Sequence, residues 1–462
     1  MPPRSILGHL RNPGDRDALQ SWLLDQAPEV DGFVISLDML VYGGLVPSRV
    51  VEDDSQDLLS RLELLRMLRR LVPKRPVFAF AATMRISNSA VAEEEKDYWA
   101  EYGPLLWAWS YHQDRAQQIA DRQEAARSHA EFLHLETAIP AGIRQDYRHT
   151  RQRNLQVTLQ ALQAVREGIV DRLVLPQDDT AEFGLNVAER RVLQAQVQTL
   201  ALQDRVPIYA GADEVMHTLC ARMITELEAR PALRISLLPS DPVGLSGLKA
   251  RYEDRPVLDS IAAQIAAVGA VAVSHAAQAD VVLALHTRGK EQGDWAMGIK
   301  LPEPTIISEH WIQTLQHLHK RNKPWALADL AYANGGDPEW LLHGVPVPDA
   351  YAGWNTASNT LGSVLSQCAL GVGHLQEAPS RRALSLRLLE DMLYQAQVRQ
   401  AVRETVDESV CTPLALLQTA RALMVPASRS FAQAYGLSHC VSDLSLPWDR
   451  SFEVDLQLEA FA

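Results

Sequence analysis

Leu173-Val174-Leu175-Pro176-Gln177-Asp178-Asp179-Thr180, with Phe183-Gly184 close behind, is the stretch from which the fold is read. A short apolar run bounded by a proline has the pattern of a buried strand. Two carboxylates follow where that strand emerges. Side chains alternate faces along a strand, but where the backbone turns at its end both acids can face one cleft. Neighbouring carboxylates resist ionising together, so one pKa rises, as general acid–base chemistry requires. Read blandly, one aspartate caps the next helix and the other is solvated. Repetition of the pattern along the chain favours the functional reading.

Outward from that stretch, the same strand-then-acid form recurs. Gly32-Phe33-Val34-Ile35-Ser36-Leu37 ends at Asp38 and runs into the glycine-bearing loop Tyr42-Gly43-Gly44-Leu45, which is either a ligand approach or a tight turn. Val77-Phe78-Ala79-Phe80-Ala81 leads to Met84-Arg85-Ile86-Ser87-Asn88. Val206-Pro207-Ile208-Tyr209-Ala210 leads to Asp213-Glu214, and Arg234-Ile235-Ser236-Leu237-Leu238 leads to Asp241. Asp280-Val281-Val282-Leu283-Ala284-Leu285 ends in His286, and Trp325-Ala326-Leu327-Ala328 ends in Asp329 ahead of Asn334. Finally Ala350-Tyr351-Ala352 precedes Trp354-Asn355. Helical stripes lie between these strands, among them Leu58, Leu62, Leu65, Leu68 and Leu155, Leu159, Leu162, Val165. Such alternation means parallel strands with crossover helices.

About eight such units suit an α/β fold of the (β/α)8, TIM-like barrel type, with an open doubly wound parallel sheet as the alternative. In a barrel the strand ends would share one mouth. The expected organisation is a catalytic domain over residues 1–361, with a helical, Trp-rich insertion at about 91–139, and a C-terminal helical extension over 362–462 that ends in a strand.

With 462 residues, 47% hydrophobic and 22% charged, the chain is long and apolar enough for a large core. A net charge of -13 without a basic stripe argues against nucleic acid and anionic membrane as partners. No apolar run spans a bilayer, and Met1-Pro2-Pro3-Arg4 lacks the regions of a signal peptide. Four widely spaced cysteines fit reduced thiols in a cytoplasmic protein. Oligomeric state is left open.

Several pieces together resemble a bacterial family known only as domain of unknown function 4127. They are Ser36-Leu37-Asp38-Met39-Leu40 with Tyr42-Gly43-Gly44-Leu45, Met84-Arg85-Ile86-Ser87-Asn88, Gln177-Asp178-Asp179-Thr180 and Gly211-Ala212-Asp213-Glu214. Ala331-Tyr332-Ala333-Asn334-Gly335-Gly336-Asp337, Tyr351-Ala352-Gly353-Trp354-Asn355-Thr356-Ala357 and Leu446-Pro447-Trp448 complete the set. The resemblance spans nearly the whole chain. It implies that a family strand with an acidic, proline-containing end is missing ahead of Met1, and it implies no activity.

P-loop, GxGxxG, GxSxG and HExxH patterns are absent, so no nucleotide cofactor, α/β-hydrolase nucleophile or His-rich zinc site is expected. A carboxylate-rich strand-end site with aromatics points to a glycoside hydrolase acting on a small or oligosaccharide substrate without a cofactor. The adjacent pair is similar to that of hexosaminidases that use the substrate's acetamido group as nucleophile. By that analogy Asp178 orients the acetamide and Asp179 is the general acid/base. Asp38, Arg85, Asp213, Glu214, His286, Asp329, Asn334, Trp354 and Asn355 are the expected substrate-binding residues. One alternative is a hydrolase holding Mg²⁺ or Mn²⁺ on Asp38, Asp178, Asp213 and Asp329. Another is a non-catalytic carbohydrate-binding protein. Asp337, before Pro338, reads as a helix N-cap.

Overall fold

The computed structural model describes residues 1–301 and 307–461. It divides into two compact units: Met1–Leu219 with Tyr252–Asp254, and Cys220–Arg251 with Arg255–Ala462. Both are α/β, with parallel strands joined by helical crossovers, as the alternation of apolar runs and helical stripes predicts.

In the first unit, β1 (Phe33–Ser36), β2 (Val77–Phe80), β3 (Arg172–Gln177) and β4 (Ile208–Ala210) lie side by side in chain order. All are parallel, with Ile35 beside Ala79, Phe80 beside Val174 and Gln177 beside Ala210. Alternate residues Phe33, Ile35, Val77, Ala79, Leu173 and Leu175 face one helical layer. That layer presents the predicted stripes: Leu58, Leu62, Leu65 and Leu68, then Leu162 and Val165, with Leu155 and Leu159 at its margin. The acids at the strand ends are therefore seated on a dry, close-packed base.

The stretch expected as a helical insertion forms helices Trp99–Gln118 and Arg122–Ala138, the second capped by Asp121. Trp99 and Trp109 are fully buried with Leu106, Leu135 and Tyr147, so these tryptophans are packing residues.

The second unit holds β5 (Arg234–Pro239), β6 (Val271–Ala272), β7 (Val281–His286), β9 (Trp325–Asp329) and β11 (Ala350–Ala352) in the order β11-β9-β7-β5-β6, all parallel. Two-residue strands β8 (Gly293–Asp294) and β10 (Tyr332–Ala333) pair separately. Helices cover both faces. Val282, Ala284, Leu327 and Tyr351 meet Trp311 and Leu315 together with Leu388, Met392 and Met424. Val281, Leu283, Ala326, Ala328 and Ala352 meet Ile261, Ile265, Leu361 and Val364. Small alanines on that second face let the helix Ala357–Gly371 approach closely. Residue 361 thus lies inside a packed helix of this unit.

Beyond it run Ala378–Arg387, a π-helical segment Leu388–Val398, and Pro413–Tyr435. The hairpin of β12 (His439–Ser445) and β13 (Asp455–Ala460) ends the unit, with the predicted tail strand as its second arm. All four cysteines are unpaired. Among the described residues, no helix is long and apolar enough to cross a membrane.

Candidate active site

The first unit gathers its acids where the parallel strands end. β1 stops at Ser36, whose hydroxyl accepts the Met39 N–H at 3.2 Å and starts the short helix Leu37–Tyr42. Asp38 is thereby set in a first helical turn, where its carboxylate accepts the Ala82 N–H, just past β2, at 3.0 Å. Burial pushes its pKa up to about 7; the Ala82 bond opposes the rise and the charge of Asp178 adds to it.

Gly43 closes that helix at φ 84°, and a Cβ there would lie 2.7 Å from Pro13. The glycine pair is a tight turn packed on the chain itself, one of the two expected readings. Immediately afterwards, the turn of helix Pro47–Val50 presents Arg49.

Arg49 is 3% exposed and donates to Asp178 at 2.9 Å, with Glu95 at 3.3 Å and Glu94 at 3.4 Å. Arg85 matches it, reaching Glu94 and Glu95 at 3.1 Å and Asp179 at 3.3 Å. Two guanidiniums therefore stand between two glutamates and two aspartates, each aspartate having its own arginine. Desolvation and repulsion from Asp178 push Asp179 up to about 6 against the pull of Arg85. Asp213, three residues past β4, is exposed; nearby protein atoms and the charges of Asp178 and Asp179 raise its pKa, an effect that solvent screens. Asp38 and Asp179 are thus shifted towards the range that general acid–base catalysis uses.

The surrounding shell is specific. Arg151, 2% exposed, grips Glu189 through two bonds of 2.7 and 2.6 Å. It also donates to the carbonyls of Met84 at 2.8 Å and Arg85 at 3.3 Å. The backbone that carries Arg85 is fixed by that side chain.

Of the residues predicted from sequence, Asp38, Arg85, Asp178, Asp179 and Asp213 meet in this cluster. Glu214 is fully buried at the start of the next helix, near Tyr209, whose phenol burial and the Glu214 charge raise. Arg49, Glu94 and Glu95 were not anticipated. The run Glu93-Glu94-Glu95 and the Pro47-Ser48-Arg49 turn gave no local sign of pairing over so many residues.

His286, Asp329, Asn334, Trp354 and Asn355 belong to the second unit. His286 and Asp329 are cross-strand neighbours on β7 and β9, both fully buried. His286 bonds Asp337 at 2.9 Å. Burial lowers its pKa, but the Asp337 bond and the Asp329 charge outweigh that and leave it raised. Asp329 accepts from the Asp337 N–H at 2.8 Å, the Trp340 indole at 3.1 Å and the Tyr351 hydroxyl at 3.2 Å, and burial pushes it up to about 6. Asp391, on the π-helical segment, accepts the Gly353 N–H at 2.9 Å and is pushed up to about 7 by burial. Asp337 accepts the Glu339 N–H at 3.2 Å and its other oxygen serves His286, but the N-cap position of the helix Glu339–Leu342 falls on Pro338, not on Asp337 as expected. Asn334 and Asn355 are left-handed, at φ 60° and 50°, and the Asn334 N–H donates to the Asn355 carbonyl at 2.9 Å. The Trp354 indole donates to Ser363 at 2.9 Å.

Among the described residues, no three His, Cys, Asp or Glu side chains converge in a way that could hold a metal ion. In the first unit Arg49 and Arg85 occupy oxygens of Asp178, Asp179, Glu94 and Glu95. No curated protein and no solved structure matches the chain. A family model does, over residues 1–457, and its description is "Protein of unknown function (DUF4127)".

Proposed function

We propose, for a chain that belongs to this family of proteins of unknown function, that the acid cluster of the first unit is the active site of a glycoside hydrolase. One observation carries the reading: adjacent aspartates are held in unlike surroundings. Asp178 is bound by the buried Arg49 at 2.9 Å with its side chain 12% exposed. Asp179 takes Arg85 at the longer 3.3 Å, keeps its side chain 31% exposed and is pushed up to about 6 by desolvation and the Asp178 charge. Two carboxyl groups placed so differently are the division of labour that acid and orienting base need. Asp179 is the general acid/base. Asp178 orients the acetamido group of an N-acetylhexosaminide, a role taken from the likeness of the pair to that of hexosaminidases. Asp213 and Asp38 bind hydroxyls.

Residence in the cytoplasm is part of the proposal and accords with four unpaired thiols. A closed (β/α)8 barrel is the finer form of the α/β class, and the chemistry does not depend on it. Nor does it draw on His286, Asp329, Asn334, Trp354 or Asn355.

Chromophore release from a panel of aryl glycosides, N-acetylhexosaminides included, tests the reading. Hydrolysis unaffected by chelator is expected, with kcat/KM declining as pH rises through about 6, because the acid must hold its proton. Activity abolished by chelator and restored by Mn²⁺ would replace this mechanism with a metal-assisted one. Silence on the panel, with saturable sugar binding that survives Asp→Asn changes within about tenfold (about 1.4 kcal/mol), would make the protein a binder.

A further inference from the structure

The helix Leu185–Thr199 begins directly behind the aspartate loop, and it has no cap of its own because its N-cap residue is Gly184. The first N–H groups of a helix need acceptors. Here they are supplied by the inserted helix Trp99–Gln118. Ser110 accepts the Leu185 N–H at 2.7 Å, and Asp114 accepts the Gly184 N–H at 3.0 Å while its other oxygen pairs with Arg191. Ser110 and Asp114 are 1% and 3% exposed. Between them in sequence, Tyr111 sets its ring edge-on to Phe183 with centroids 5.6 Å apart. Positions 107, 110, 111 and 114 form one stripe of that helix, and three of the four grip residues 183–185.

The other end of the loop is held as well. Asn186, 3% exposed, donates to the Asp179 carbonyl at 3.2 Å. Asp179 itself has φ 32°, outside the regions ordinary residues prefer. A left-handed aspartate persists when its surroundings over-determine it. At Gly184, φ 151°, an added Cβ would meet the Asn186 side-chain oxygen at 2.8 Å, so the clamp admits no side chain there without displacement.

We propose that Asp114, Ser110 and Asn186 are positioning residues: the inserted helix clamps residues 179–185 and holds the Asp179 carboxyl in its place beside Arg85. The inference rests on the hydrolase reading above. It gives the inserted helix a task in the chemistry beside the one Glu94 and Glu95 already have, acting on the acid through the loop that the helix caps. Charges facing Asp179 are those of Asp178, Asp213 and Glu94 on one side of the balance and Arg85 and Arg49 on the other. A loosened loop would carry the carboxyl, already 31% exposed, away from Asp178 and further into water, where it would titrate nearer the ordinary carboxylate range.

The test is the titration of Asp179 in the full chain, followed by NMR of ¹³C-labelled aspartate carboxyls without substrate, alongside kcat and KM on the aryl glycoside. Asp114→Ala and Asn186→Ala are expected to lower the Asp179 midpoint by about one pH unit and kcat by roughly 10- to 100-fold, with KM within about twofold. Asp114→Asn keeps an acceptor for the Gly184 N–H and should restore much of both. Ser110→Ala is the milder variant should Asp114→Ala fail to fold. Folded variants with an unmoved midpoint and kcat would overturn the clamp, even if glycosides are hydrolysed. A moved midpoint in a protein that hydrolyses no glycoside would uphold the clamp and sink the hydrolase reading.

Discussion

Asp179→Asn is expected to lower kcat/KM on the responsive glycoside by about 10²- to 10⁴-fold, the usual contribution of a positioned proton donor. Asparagine matches aspartate in shape but has no acidic proton for the leaving group. The loss should fall on kcat, since Arg85 keeps Glu94 and Glu95 as partners and the cluster stays assembled. Thermal stability should hold or rise slightly, because a carboxyl crowded by Asp178 and Asp213 is replaced by a neutral group. Unchanged turnover in Asp179→Asn would remove this residue from the mechanism. A fall in Tm of many degrees would instead mean that the variant reports on folding, and Asp178→Asn would then be compared.

The second large effect is on stability. Arg151→Met is expected to cost about 3 kcal/mol or more in urea unfolding, because a buried ion pair broken on one side leaves an uncompensated charge. Glu189 would lose both its bonds, and the Met84 and Arg85 carbonyls would lose a donor. The double variant Arg151→Met/Glu189→Leu should recover a good part of the loss, since replacing both members with apolar groups leaves no orphaned charge. Equal losses in the single and double variants would show that the bonds to the two carbonyls, not the pair with Glu189, are what matters.

Much of this architecture is legible from local pattern. Val77–Phe80, Arg172–Gln177, Val281–His286 and Trp325–Asp329 are strands where apolar runs predict them, because burial and β-propensity act within each run. Acids at the ends of β3 and β4 were equally visible. Strand order was not, since which parallel strands become neighbours depends on helices packing many residues away. Gly293–Asp294 and Tyr332–Ala333 are too short to carry any periodicity. Arg49 carries no such mark for a related reason: nothing near it signals a partner 129 positions on at Asp178. His286 illustrates the opposite limit, because sequence could mark it as a histidine at a strand end but could not give its bond to Asp337.

The raised carboxyl groups also make the fold a reservoir of protons. Asp38 and Asp391, at about 7, and Asp179 and Asp329, at about 6, hold protons near pH 6 that an unfolded chain, with aspartates at 3.8, would surrender. The native state binds more protons, so these groups favour folding at low pH and their contribution is lost as pH climbs from about 4 towards 7. Unfolding near pH 6 therefore discharges protons into the buffer. Calorimetric unfolding enthalpies should accordingly differ between buffers of low and high ionisation enthalpy, and the gap should shrink in Asp38→Asn. Equal enthalpies in both buffers would mean that these acids are already ionised in the native protein.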